Sequence, residues 1–219
     1  GLKGMPIEAE DIMVYRDIAL LEKTGGRLHV AHISSRNSVE LVRRAKAQGL
    51  PVTCEVAPHH FTLTDEAVRG YDTNTKMSPP LRSAIDVEYI KEGLKDGTID
   101  IIATDHAPHD LADKQLEYQN ACFGIVGLET ALPLTLKLVD EGILSLNDAI
   151  KKLTYSPANI FALNSGHLSV GAQADIVIFD PELKYKIDVS KFHSKSKNSP
   201  FDGWEVKGKI LHTLVNGEI

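Results

Sequence analysis

The residues of this chain that could do chemistry gather at the ends of apolar runs. IIATDHAPHD, residues 101–110, sets Asp105, His106, His109 and Asp110 directly against an apolar segment. RLHVAHISS ends in His32, Ser34 and Ser35, and PVTCEVAPHH ends in His59 and His60. A carboxylate at the end of a buried strand loses solvation that a cation, a metal or a hydrogen-bond donor must replace. His32 and Asp105, expected on neighbouring strands, offer a nitrogen and an oxygen donor suited to Zn²⁺ or a similar divalent ion. A metal-held Asp105 can also take a proton from water made acidic by the ion. On spacing alone each has an equally good plain reading: His32 as a hydrogen-bonded loop-edge histidine, Asp105 as a helix cap or turn residue.

Alternation along a strand sorts the other candidates. His29 lies an odd offset before His32, which turns it to the opposite face and gives it a structural role. His59 and His60 are adjacent and, on a strand, cannot both reach one ion, so both read as structural; His106 beside Asp105 meets the same objection. Either Glu55 or Cys54 faces the inside of the sheet, and an inward Glu55 needs a metal or a base such as Arg82. His109, in the loop after Asp105, can donate to an anionic group or simply be solvated. CFGIVGLET carries Gly124 and Gly127 ahead of a helix whose first amides could hold an anion, although a G-x-x-G spacing is weak by itself. KMSPPLR, with Ser78 and paired prolines, is an ordered loop that either binds substrate or only stiffens the chain.

The elements that must position these groups follow from periodicity. Pro6, the acids Glu8, Glu10 and Asp11 and an apolar stripe from Ile12 to Leu21 predict a helix ending at Gly25-Gly26. RLHVAHISS, PVTCEVAPHH and TIDIIATD predict strands, separated by helices over 37–48 and 86–96. Such alternation signals βαβ units on a parallel sheet, where ligands meet the carboxyl ends of the strands. LETALPLTLKLVDEG and SLNDAIKKLTYS predict two more helices, followed by the short SPANIFAL segment. The remainder, from ADIVIFD to WEVKGKILHTLVNGEI, predicts a small antiparallel β unit with Asn216-Gly217 as a turn. HSKSKNSP, 193–200, reads as a polar loop. The fold class is therefore α/β, with about three of the roughly eight β/α units of a closed barrel. The expected division is 1–165 for the partial barrel and 166–219 for the β segment.

Composition bounds the partners. A net charge of −6 with basic residues scattered among acids leaves no footprint for nucleic acid or anionic lipid, so the partner is a small molecule. No apolar run reaches the roughly 20 residues that span a bilayer, and a cytoplasmic enzyme is the expectation. Cys54 and Cys122 form no CxxC pair and fit reduced thiols.

Taken in order, AHISS, TCEVAPHHFTLT, KMSPPLRS, DGTIDIIATDHAPH, FGIVGLET and SPFDGWEVKGK resemble the carboxyl-terminal half of the dihydroorotases, within the amidohydrolase superfamily. The pairing of ATDHAPH with FGIVGLET separates that family from hydantoinases and allantoinases. The resemblance implies a TIM-type (β/α)₈ barrel with a small β-sandwich, one or two Zn²⁺ ions, and reversible cyclisation of N-carbamoyl-L-aspartate to L-dihydroorotate in pyrimidine synthesis. It implies that His32 is a metal ligand, Asp105 the metal-ligating general acid/base, and His109 a group on the substrate carboxylate or ring carbonyl, with Phe123 and Gly124 completing the pocket. Ser78 stands where many members have Asn, and its shorter hydroxyl weakens a direct side-chain contact. Some relatives hold a third metal near a strand Glu; with Ala31 before His32, Glu55 is at most a weak extra ligand. The family's HxH pair, its bridging carboxylate or carboxylated lysine and a further histidine have no counterpart before His32. The chain alone is thus expected to be inactive, with exposed apolar sheet edges. The resemblance further implies a homodimer or association with a carbamoyltransferase. A related cyclic amidase, or a non-catalytic scaffold for a carbamoyltransferase, are the competing readings.

Overall fold

Strands form where β-branched residues cluster, and they are shorter than the apolar runs that contain them. In the computed structural model, which describes residues 1–219, β1 (Leu28–Val30), β2 (Val52–Val56) and β3 (Ile101–Ile102) make a parallel sheet in the order β1-β2-β3. Leu28 pairs with Val52 and Glu55 with Ile101. Two expectations are corrected here. β2 lies between the strands that carry His32 and Asp105, so those strands are not neighbours. Pro58 begins a short helix, α3 (Pro58–Thr62), which puts His59 and His60 on a helical turn instead of a strand.

Helices cover one face of this sheet. α1 (Glu8–Thr24) closes on Gly25 in the left-handed region, and α2 (Arg36–Ala47) starts from Ser35, whose side chain accepts the Ser38 N–H. α4 (Ala84–Asp96) starts from Ser83 in the same way. Val39 and Val42 of α2 pack with Val52, Cys54 and Val56 of β2 and with Ile90 and Leu94 of α4 in one apolar cluster. Gly93 lets α4 approach α2, since a Cβ there would lie 2.9 Å from Val39 Cγ1. Because Cys54 is buried among these side chains, Thr53 and Glu55 project from the opposite face.

After the short α5 (Leu111–Lys114), the chain forms α6 (Ala131–Asp140), α7 (Leu146–Leu153) and α8 (Tyr155–Ile160), and then an antiparallel pair, β4 (Ile176–Lys186) with β5 (Glu205–Leu214). Asn216 and Gly217, with φ of 54° and 83°, make the turn expected from their sequence. Ile187, Phe201 and Val206 join the same apolar cluster as the parallel sheet. Val177, Ile178, Ile210 and Leu211 of the β4–β5 pair are exposed, and β1 has no strand on its outer edge, as expected of open apolar sheet surface. No helix is long and apolar enough to cross a membrane.

β5 reaches α6 through Gly208, which has φ of +92° and whose added Cβ would fall 2.0 Å from Leu136 Cδ1. Gly208→Ala therefore combines backbone strain with overpacking and should cost about 1–3 kcal/mol in a urea titration. An unchanged midpoint would show that this contact yields freely.

Candidate active site

The two principal candidates leave their strands in the same unusual way. His32, just past β1, has φ of 36°, and Asp105, past β3, has φ of 48°. Left-handed backbone at a non-glycine residue is uncommon, although His and Asp tolerate it better than most. It also breaks the two-residue alternation that ruled the strand, so facing is no longer set by odd or even offset. Asp105 makes no side-chain hydrogen bond. Burial raises its pKa, His32 opposes that rise, and Glu55 adds to it. His32 and Glu55 therefore both lie within electrostatic reach of Asp105. The capping role belongs to Asp110, which accepts the Ala112 N–H at the start of α5.

A divalent ion fits these residues. His32 Nδ1 is buried without a partner, which buried polar atoms normally find, and the half-buried Asp105 carboxylate accepts no hydrogen bond within the chain. A histidine nitrogen and a carboxylate oxygen form part of a zinc-type donor set. No three His, Cys, Asp or Glu side chains of this chain gather closely enough to hold an ion by themselves.

The His32 turn is clamped from two sides by groups that sequence reading missed. Glu10 of α1 accepts the N–H groups of Ser34 and Ser35 at 2.8 and 3.1 Å and the Ser34 hydroxyl. Arg82 donates to Ser34 Oγ and to the Met5 carbonyl and pairs with Glu10 at 3.5 Å. Arg82 thus belongs to Glu10, not to Glu55. The acids that open α1 are the visible signal for this clamp, since they are more numerous than a helix start needs. On the Asp105 side, Gly127 presses against the Thr104 carbonyl, which an added Cβ would approach to 2.6 Å.

The remaining histidines have mostly structural partners. His29 contacts Thr53 Oγ1 at 2.8 Å and Glu55 Oε2 at 3.1 Å, which gives Glu55 a partner that had not been anticipated. His106 Nδ1 accepts the Gly127 N–H. His60 Nε2 donates to the Pro79 carbonyl, past the cis Ser78–Pro79 bond. Burial holds His60 down to about 4 and His59 well below 6.5, with His32 among the smaller causes for each. His59 Nε2 and His60 Nδ1 have no partner.

The loop candidates meet at one place. His109 Nε2 donates to the Phe123 carbonyl at 2.6 Å, so a second donated bond from Nδ1 requires the cationic ring. Phe123 is exposed. Gly124, at φ +115°, spends its N–H on the Lys76 carbonyl, and Gly127 spends its own on His106, so neither glycine amide is free for an anion. Ser78 is exposed, and its hydroxyl makes no bond within the chain. Asn198, from the loop read as merely polar, is buried and donates to the carbonyls of Ala107 and Gly124 while accepting from His109 N–H. Its one signal was a short amide between charged and proline residues, too common to single out.

These features place the chain in a known class: residues 3–219 match the Amidohydrolase family model, and the chain belongs to that family. Within it, the chain is 56% identical over its whole length to a protein named dihydroorotase from Geobacter sp. (strain M21), and 55% identical to another from Pelotomaculum thermopropionicum. It spans about half the length of these curated relatives, 52% in both cases. Among solved structures it is similar to the L-hydantoinase (dihydropyrimidinase) from Arthrobacter aurescens, with a TM-score of 0.92 and 35% identity over 97% of this chain and 49% of that one. It is also similar to a D-hydantoinase from a Thermus species, with a TM-score of 0.91 and 30% identity over 97% of this chain and 48% of that one.

His59 and His60 have depressed folded-state values, so the unfolded chain takes up protons that the folded chain refuses as pH falls through 6.5 toward about 4. Stability should be full above about pH 6.5 and drain away on acidification, by about 3 kcal/mol for a single fully buried ring. Urea midpoints of metal-free protein between pH 7.5 and 4.5 measure this. His60→Gln should flatten the profile, and an unaltered slope would contradict the assignment.

Proposed function

We propose that this chain is the catalytic, carboxyl-terminal part of a dihydroorotase, interconverting N-carbamoyl-L-aspartate and L-dihydroorotate. The observation that carries the reading is the pair of left-handed strand ends bringing a partnerless histidine nitrogen and a donor-free carboxylate into mutual reach. The family membership and the dihydroorotase relatives support it. On this reading the parallel sheet is an arc of a (β/α)₈ barrel covering 1–165, and 166–219 is part of a β-sandwich. The barrel's remaining strands would bring the donors that complete the metal site.

His32 and Asp105 would hold Zn²⁺, as one or two ions, which when bound supplies Lewis acidity toward the amide carbonyl and toward water. Asp105 takes the proton from the attacking water and hands it to the ring nitrogen as the C–N bond breaks; in the cyclising direction the same proton returns. A carboxyl that burial makes a better proton holder suits both halves of that exchange. His109 and the Phe123 amide bind the substrate carboxylate, with Gly124 shaping the loop. Ser78 contributes through its backbone position. The family resemblance alone supports a cytoplasmic homodimer or a complex with a carbamoyltransferase.

The likeness to hydantoinases supports a second reading, a cyclic amidase for an uncharged ring. Rates of the intact protein on dihydroorotate, hydantoin and allantoin separate the two. Dihydroorotate should be preferred, and Asp105→Ala should lower its turnover by about 10²–10⁴-fold. An unchanged rate in the variant removes Asp105 from the chemistry, and a preference for hydantoin favours the second reading.

A further inference from the structure

The loop bearing Phe123 and Gly124 rests on two buried lysines. Lys114 is the only buried residue between 111 and 120, at 4% exposure, and Lys76 is buried to 7%. Lys76 Nζ donates to the carbonyls of Gln119 and Ala121 at 3.0 and 2.6 Å, and Lys114 Nζ to those of Cys122 and Gly124 at 2.9 and 3.1 Å. Lys76 Nζ also sits 4.4 Å from the centre of the Phe123 ring. Neither ammonium is in a salt bridge; each is satisfied by backbone carbonyls.

Burying two like charges with no carboxylate in direct contact, Asp72 acting on Lys114 only through space, is costly, and carbonyl dipoles offset only part of the cost. Packing alone would be met by methionine, and carbonyl satisfaction alone by asparagine or water. What two ammoniums add is a positive field, strong because the surroundings are of low dielectric, directed through the one loop that also carries the His109–Phe123 contact.

We propose that Lys76 and Lys114 are positioning and specificity residues: they fix the 119–124 backbone and make the site select cyclic amides bearing a carboxylate over uncharged ones. The inference rests on the reading above in one respect, that His109 and Phe123 face the substrate.

The test compares binding of orotate and uracil, the same ring with and without a carboxylate, to the intact metal-loaded protein by calorimetry. In Lys76→Met and Lys114→Met, orotate should weaken by about tenfold or more while uracil stays within about twofold. Equal weakening of both ligands, or none, overturns the proposal. Should either variant fail to melt cooperatively, unsubstituted lysines can be titrated instead. Lys114 is pushed down to about 8, chiefly by burial, with Cys122, Lys76 and Asp72 as its charged or titratable neighbours. In Cys122→Ser protein, orotate affinity should fall between pH 7 and 9 and uracil affinity should not; a flat orotate profile overturns the proposal. A protein that prefers orotate but does not hydrolyse dihydroorotate would refute the functional reading and leave this inference standing, and one that turns over dihydroorotate without preferring orotate would do the reverse.

Discussion

The structure depends on the backbone's departure from the strand pattern at two points. Were His32 and Asp105 to continue as strand residues, their directions would follow the alternation of β1 and β3, with β2 standing between them. Instead each turns into left-handed conformation, at a cost of order 1–2 kcal/mol, and the surrounding groups hold it there. Glu10 and Arg82 lock the amides and hydroxyl of Ser34 and Ser35 behind His32, while Gly127 admits the Thr104 carbonyl ahead of Asp105. The strain is local, and the parts that sustain it come from distant stretches of chain. That arrangement is typical of backbone held for function.

Burial supplies the second half of the arrangement. Asp105 is half-buried and accepts no hydrogen bond within the chain, and His32 keeps a nitrogen unspent. Left so, both are liabilities; shared by a divalent ion, both are satisfied. Burial favours the neutral form of the neighbouring His59 and His60 imidazoles, so they add no positive charge beside His32. His29 and Glu55 bind each other across β1 and β2.

Much of this was legible in the sequence. The order of helices and strands, the Asn216-Gly217 turn and the placing of chemistry at strand ends all follow from local patterns. What failed was the extension of local rules past their range. The apolar run of β2 continues in sequence past Val56, but Pro58 suits a helix start and α3 begins there, so strand alternation does not set the directions of His59 and His60. Sheet order was unreadable because pairing is set by crossovers, not by spacing. The roles of Glu10, Lys76 and Asn198 leave no periodic mark because each acts on backbone atoms far along the chain, and Lys114, whose partners are the nearer Cys122 and Gly124 carbonyls, acts through an irregular loop that has no period either.

The central claim is that His32 and Asp105 coordinate the same divalent ion. A crystal of the intact protein grown with zinc, measured at the zinc absorption edge, tests it directly. The account predicts an anomalous peak within coordination distance, about 2.0–2.2 Å, of both a His32 ring nitrogen and an Asp105 oxygen. A peak elsewhere, or one touching neither side chain, would contradict it.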